Sequence, residues 1–296
     1  MKKKFFKGTN DNMFKAIFTP KKNRELLKEF LKRSLKQVLP INLDELVILS
    51  SEIAKTNVNI KGKTVDILAE TPNEILNIEL NNSYYPALHK RNASYIFSKY
   101  SEEVKVSETY NKMKMFIQIN FTKGLSKDYL SLEIYTLKGE KTDKKYIDNL
   151  IIAEFNIDKI KEGWYNGDKE FDFVAALDLE GAELNKICEG DEYMELFEKE
   201  VKRLNQDHKF TEFMSAEEEE EKLKKSLIED AKNDGEKIGL QKGKELGIQE
   251  GKELGIQEGE TKKQIEIAKN MLENKMVPEM ISKLTGLSKS EIEALK

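Results

Sequence analysis

The sequence contains one cysteine, Cys188, so no intramolecular disulfide can brace the chain. With His89 and His208 as the only histidines, a Cys/His zinc site cannot be assembled. Any metal must be held by oxygen ligands, which selects Mg²⁺, Mn²⁺ or Ca²⁺. No apolar run approaches the ~20 residues of a membrane span, so no membrane partner is expected. The N-terminal MKKKFFKG has the charges of a signal peptide, but no apolar stretch follows, and the expected compartment is the cytoplasm. A surplus of positive charge is missing too. The formal net charge is −4, so any nucleic-acid surface has to be local.

What the chain has in plenty is charge of both signs: 35% of residues, against 39% apolar. An average domain carries ~25% charged residues, so the excess is expected in a solvated segment. Composition divides the chain accordingly. Residues 1–210 hold nearly all the aromatics and the alternating patterns. Residues 211–261 open on the acidic run Glu217 to Glu221 and continue with glycine at every fourth position from Gly235 to Gly259. The block GKELGIQE occurs there in tandem, from Gly243 and from Gly251. Residues 262–296 regain a short apolar periodicity. The reading is a folded α/β domain, a helical linker and a small helix-turn-helix-like module.

Within the first part, Asn10 or Asp11 can cap a helix carrying Phe14, Ile17 and Phe18, which Pro20 ends. Leu26, Leu27, Phe30, Leu31, Leu35 and Val38 give a second amphipathic helix. Strands are expected at Leu46–Ile53, Thr64–Glu70, Ile75–Asn81, Lys112–Asn120, around Leu130–Tyr135, at Leu150–Ile157 and at Phe171–Leu177. Helices are expected from about Pro86 to Val106 and around Glu192–Leu204, with Trp164 as a loop anchor.

TVDILAETPNEILNIELN, from Thr64 to Asn81, is the most informative stretch. A turn centred between Pro72 and Asn73 pairs residues whose numbers sum to 145, so Asp66 faces Glu79 and Thr64 faces Asn81. Strand parity then puts Asp66, Glu79 and Asn81 on one face, with Ile67, Ile78 and Leu80 on the other. Proline excludes a type I′ turn, and a four-residue loop is expected. Two facing carboxylates repel, and a divalent cation between them reverses the sign. A shifted turn would instead make both of them ordinary polar-face residues.

These residues resemble the PD-(D/E)XK nuclease superfamily, and more closely its Rpn-type branch of recombination-promoting nucleases, the PD-(D/E)XK nuclease family transposases. TNDNMFKAIF resembles that branch's opening motif, VDILAE with NIELNN its metal motif, and KRNASYIFSKY its Arg-x₃-Tyr helix. The Gly-x₃-Gly repeats and the closing AKNMLENKMVPEMISKLTGLSKSEI are also similar. The resemblance implies a restriction-endonuclease-like core, a mixed sheet flanked by helices, with a C-terminal helical tail. It implies a metal-dependent DNA endonuclease linked to recombination, transposition or defence against foreign DNA. Asp66 and Glu79 would hold Mg²⁺ with the Leu80 carbonyl as a third ligand. Asn81 falls where the branch has Gln and the superfamily Lys, and Asn brings no positive charge. A non-catalytic DNA-binding or assembly protein is therefore the alternative.

Parity places Lys63 on the wrong face to substitute, whereas Lys90 or Arg91 on the next helix can reach back. Arg91 suits a phosphate, with Tyr95 one turn away on the same face, unless that helix simply packs on the sheet. Asp11 is either an additional acidic contact or an N-cap. The Lys2–Lys4 arm adds to the basic surface. His89 and His208, without Cys or His partners, are read as surface residues. In the tail, Thr285-Gly286 is a turn and Ser288 with Glu291 a capping box. The last helix has no net positive charge, so homo-oligomer formation through the tail is favoured over base readout.

Overall fold

The computed structural model describes residues 4–49, 52–53, 63–103 and 109–295. In chain order the elements are α1 (Asp11–Phe18), α2 (Arg24–Leu35), β1 (Val47–Ile48), β2 (Glu52–Ile53), β3 (Lys63–Thr64), β4 (Ile67–Glu70) and β5 (Glu74–Asn81). Next come α3 (Leu88–Glu103), β6 (Met115–Thr122), β7 (Leu132–Thr136), β8 (Leu150–Asn156), α4 (Ile157–Tyr165), α5 (Asp172–Ala176), α6 (Gly181–Cys188) and α7 (Glu192–Gln206). The chain ends with α8 (His208–Glu273), α9 (Pro278–Thr285) and α10 (Lys289–Glu293). It divides into two compact units, Met1–Ser215 and Ala216–Lys296.

The first unit is built on a six-stranded mixed sheet in the order β1-β4-β5-β6-β8-β7, with β5, β6 and β8 mutually parallel. The two faces differ. One is apolar along its whole length: Ile67, Leu76, Ile78, Leu80, Ile117, Ile119, Phe121 and Phe155 meet α1, α2 and the helices after β8. Phe30 sits at the centre of that layer, its ring 4.9 Å from Phe18, 5.1 Å from Phe121 and 5.2 Å from Phe173. Phe30→Ala is expected to cost about 3–5 kcal/mol, read as a lower urea midpoint at unchanged slope.

The other face changes character along the strands. Near their amino ends Leu68, Ile75, Phe116 and Leu150 form a small core with Ile96 of α3. Near the carboxyl ends it turns polar yet stays buried, through Asn77, Glu79, Asn81, Gln118, Asn120, Thr122, Glu154 and Asn156. Asn77 donates to Gln118 at 2.7 Å, Gln118 to Asn120 at 2.7 Å and Asn120 to Glu154 at 2.8 Å, which ties three strands together through side chains. Ligand sites in open α/β sheets lie at such carboxyl ends.

Several expectations are corrected. Phe171–Leu177 is not a strand but contains α5, because a short apolar run does not distinguish a strand from a buried helical turn. Trp164 lies within α4, packed against the core, rather than in a loop. Asn10 takes the N-cap of α1, accepting from the backbone of Asn12 and Met13, so Asp11 is released from that role. Thr64 does not face Asn81: it pairs with Glu52 in a separate two-stranded sheet, because the chain turns away at Asp66. Ser50 and Ser51 of the first expected strand, Val104–Val106 of the expected helix, the Lys63 side chain, Lys2 and Lys3 lie outside the described residues.

In the second unit the repeat is helical throughout, inside the 66-residue α8. A Cβ added at any glycine from Gly235 to Gly259 would meet nothing within 4 Å. Its apolar residues, including Ile238, Leu240, Leu246, Ile248, Leu254 and Ile256, are exposed. The end of α8 contributes Ala268 to a small core with Ile281, Leu287 and Ile292. Gly286 ends α9 in the left-handed conformation at φ 77°, and Ser288 and Glu291 form the expected capping box.

Candidate active site at the carboxyl ends of the parallel strands

The β4–β5 hairpin sets the site. Ile67 pairs with Ile78 and Glu70 with Ile75, so partners sum to 145. Thr71–Glu74 forms the turn, closed by the Thr71 N–H donating to the Glu74 carbonyl at 2.9 Å. Asp66 sits immediately before β4, where the strand leaves the ladder. There its Oδ2 accepts the Leu80 N–H at 2.8 Å, which fixes the carboxylate beside β5.

The Asp66 Oδ1 lies 2.8 Å from Lys15 Nζ of α1. Burial pulls Lys15 down, but the Asp66 carboxylate outweighs it, and the ammonium is held above its ordinary value. Glu79 is 3% exposed, and its Oε1 is buried without a hydrogen-bond partner. Burial first, and the Asp66 charge second, push Glu79 up to about 8, against the pull of Arg91 and Lys15. Arg91 on α3 places Nη2 3.8 Å from Glu79 Oε2 and 2.7 Å from Asn81 Oδ1. The guanidinium lies over the rings of Tyr95 and Tyr85, at 5.7 Å and 5.9 Å. Asn81 also donates to Thr122 Oγ1 at 3.1 Å, so both ends of its amide are engaged. Asp11 accepts from Asn82 at 2.9 Å at the margin of this group. Lys90 is exposed.

The structure thus gathers Asp66, Glu79, Asn81 and Arg91 and sets Tyr95 beside the guanidinium. Lys15 was not legible as a member. It lies one turn after Asp11 on α1, an i, i+4 relation that marks the polar stripe of this helix, but nothing local says which strand that stripe will meet. Glu154, buried on the same polar face, was not singled out either, although alternation along β8 already separated it from Ala153 and Phe155.

Glu79 gives a pH prediction with a definite sign. Its folded value, about 8, lies above the ordinary 4.5, so the folded state keeps a proton that the unfolded chain releases. Its contribution is intact below the ordinary value, falls as pH rises from there to about 8, and then levels off. Glu79→Gln is expected to raise the melting temperature at pH 8 and to change it little at pH 4.5.

The donor chemistry fits a hard divalent cation. The Asp66 carboxylate lies against Lys15, and Glu79 beside it retains a buried oxygen with no partner. Among the described residues no group of three or more His, Cys, Asp or Glu converges on a metal position. Two carboxylates would therefore be completed by main-chain or solvent oxygen.

No curated protein and no solved structure matches the chain. A family model described as Rpn/YhgA-like nuclease family, C-terminal HTH domain, matches residues 261–296, where α9, the Gly286 turn and α10 lie. The model described as PD-(D/E)XK nuclease family transposase matches residues 8–232, from just before α1 through the hairpin, α3 and the rest of the sheet. With that match covering most of its length and a mixed sheet flanked by helices beneath it, the chain belongs to the PD-(D/E)XK nuclease family transposases.

Proposed function

We propose that this protein is a metal-dependent DNA endonuclease that hydrolyses phosphodiester bonds, in the setting of recombination, transposition or defence against foreign DNA. The observation that carries the reading is the pair Asp66 and Glu79, buried side by side at the carboxyl ends of the parallel strands with Lys15 against them. Asp66 and Glu79, with the Leu80 carbonyl, are the proposed ligands of Mg²⁺. When bound, such an ion polarises a phosphoryl oxygen and makes a bound water acidic enough to attack. Lys15 supplies the positive charge that Asn81 lacks, paired with Asp66 at 2.8 Å. Arg91 orients Asn81 and offers its fork to a phosphate, steadied by the rings of Tyr95 and Tyr85. Lys90 extends the same edge towards solvent.

The second reading, a DNA-binding or assembly protein without catalysis, is favoured by the amide of Asn81, which Arg91 and Thr122 already occupy. Supercoiled plasmid separates the two. A nuclease nicks or linearises it with Mg²⁺, not with EDTA, and Asp66→Ala is inactive. A binding protein retards it identically under all three conditions.

The tail is proposed to bind DNA through its helix-turn-helix module and to assemble copies of the chain through the exposed apolar residues of α8. Two linked single-cut sites raise effective concentration on one duplex and favour double-strand breaks. Light scattering is expected to find an oligomer for the full chain and a monomer for a chain ending at Ser215. Plasmid digests are expected to shift from linear product to nicks on truncation. Monomers with equal nick-to-linear ratios would exclude assembly through the tail.

A further inference from the structure

The two oxygens of Asp66 are not equivalent. Oδ2 accepts the Leu80 N–H at 2.8 Å, and withdrawing it would leave a buried strand N–H without that partner. Oδ1 is the oxygen left for any other ligand, and Lys15 Nζ lies against it at 2.8 Å. Glu79 differs. Its Oε2 faces Arg91 Nη2 at 3.8 Å, while its Oε1 is buried without a hydrogen-bond partner. The proposed ligand pair thus has one open oxygen, on Glu79, and one oxygen that already carries a cation, on Asp66.

A carboxylate oxygen has lone pairs for two partners, so crowding does not decide which cation it keeps. Charge does. An ammonium and a divalent ion repel each other twice as strongly as two single charges at the same separation, and the oxygen offers each of them less than it offers one alone. Lys15 is the partner built to yield. Its helix is fixed, because Met13, Phe14, Ile17 and Phe18 of α1 are fully buried. Its side chain is 34% exposed and carries a point charge on a flexible stem. Arg91 is the opposite case, its fork tied to Asn81 at 2.7 Å and bordered by the rings of Tyr85 and Tyr95. Asp11 lies one turn before Lys15 on α1, and its charge acts on the ammonium together with those of Asp66 and Glu79. A Lys15 side chain that leaves Asp66 therefore stays within the field of the site.

We infer that Lys15 is a built-in competitor of the divalent cation: ammonium and ion contend for the same Asp66 oxygen, so metal binding and release of the Lys15 side chain are one event. The inference rests on the metal-dependent reading of the site and adds its regulation. The ammonium that Asp66 gives up becomes available to a phosphate of the DNA only once the site is loaded.

The test is calorimetric titration of the full chain with Ca²⁺, without DNA, at pH 9, above the folded value of Glu79, so that protons compete little for the carboxylates. Lys15→Met is expected to bind Ca²⁺ on the order of tenfold more tightly than wild type. Its melting temperature in EDTA serves as the check on folding. Competitive acylation of lysines, read by mass spectrometry on the peptide that carries Lys15, follows the side chain in the wild-type protein itself. Its rate at Lys15 is expected to rise about threefold at saturating Ca²⁺, because an ammonium released from its carboxylate gives up its proton more readily. Equal or weaker Ca²⁺ binding by a folded Lys15→Met protein overturns the inference. So does an acylation rate that Ca²⁺ leaves unchanged, and that result needs no variant. Absence of Ca²⁺ binding in both proteins overturns the inference together with the metal-dependent reading. Tighter binding and faster acylation, in a protein that never cleaves plasmid with Mg²⁺, uphold the competition and overturn the nuclease reading alone.

Discussion

Asp66→Asn is expected to lower Mg²⁺-dependent plasmid cleavage by about 10³-fold, equivalent to roughly 4 kcal/mol of transition-state stabilisation. The substitution isolates charge from shape. An asparagine Oδ1 can still accept the Leu80 N–H that Asp66 now receives at 2.8 Å, so the strand exit keeps its tie. What is lost is the negative charge of Asp66 and its ion pair to Lys15. DNA affinity in EDTA is expected to stay within about threefold, because a carboxylate repels phosphate rather than binding it. Cleavage within tenfold of wild type would remove Asp66 from the site, whatever the family.

Lys15→Met is expected to cost about 10²-fold in cleavage at saturating DNA, a size typical of a single positioned group acting on developing charge. The reasoning is electrostatic. Glu79 is already pushed up to about 8, and Lys15 is one of the two cations that restrain it. Removing the ammonium drives that carboxyl further towards its neutral form and strips Asp66 of its partner. Methionine preserves the length of the stem, so packing of α1 changes little. A positive charge returned from β5 should compensate: Asn81→Lys in the Lys15→Met background is expected to recover about tenfold. Full activity in Lys15→Met would show that the ion pair with Asp66 is structural only.

The hairpin was legible because its signals were local. Pro72 and Asn73 set the turn, alternation set the faces, and the pairing of Ile67 with Ile78 follows from both. The tail was legible for the same reason, through Gly286, Ser288 and Glu291. Two kinds of information were out of reach. The first is tertiary approach: Lys15 meets Asp66 across 51 positions, and no periodicity in α1 encodes that meeting. The second is the meaning of burial. Asn77, Gln118, Asn120 and Glu154 are spread over three strands, and each alone reads as an ordinary solvent-facing residue. Only the parallel register of β5, β6 and β8 makes them one connected layer. The helix at Asp172–Ala176 failed differently, because five apolar-rich residues carry too little phase to separate the two periods.

The tandem block in α8 bears on how this gene can change over generations. Gain or loss of one block would change the chain by eight residues, GKELGIQE. At 3.6 residues and 5.4 Å per turn, one block adds about 12 Å and about 80° of rotation to whatever follows it along the helix. No glycine of the block is crowded, and the same Gln-to-Glu contact recurs from Gln241 and from Gln249, so a spare or missing copy disturbs no packing. Gain or loss of a block would therefore shift and turn α9 and α10 along α8 in fixed increments within the second unit.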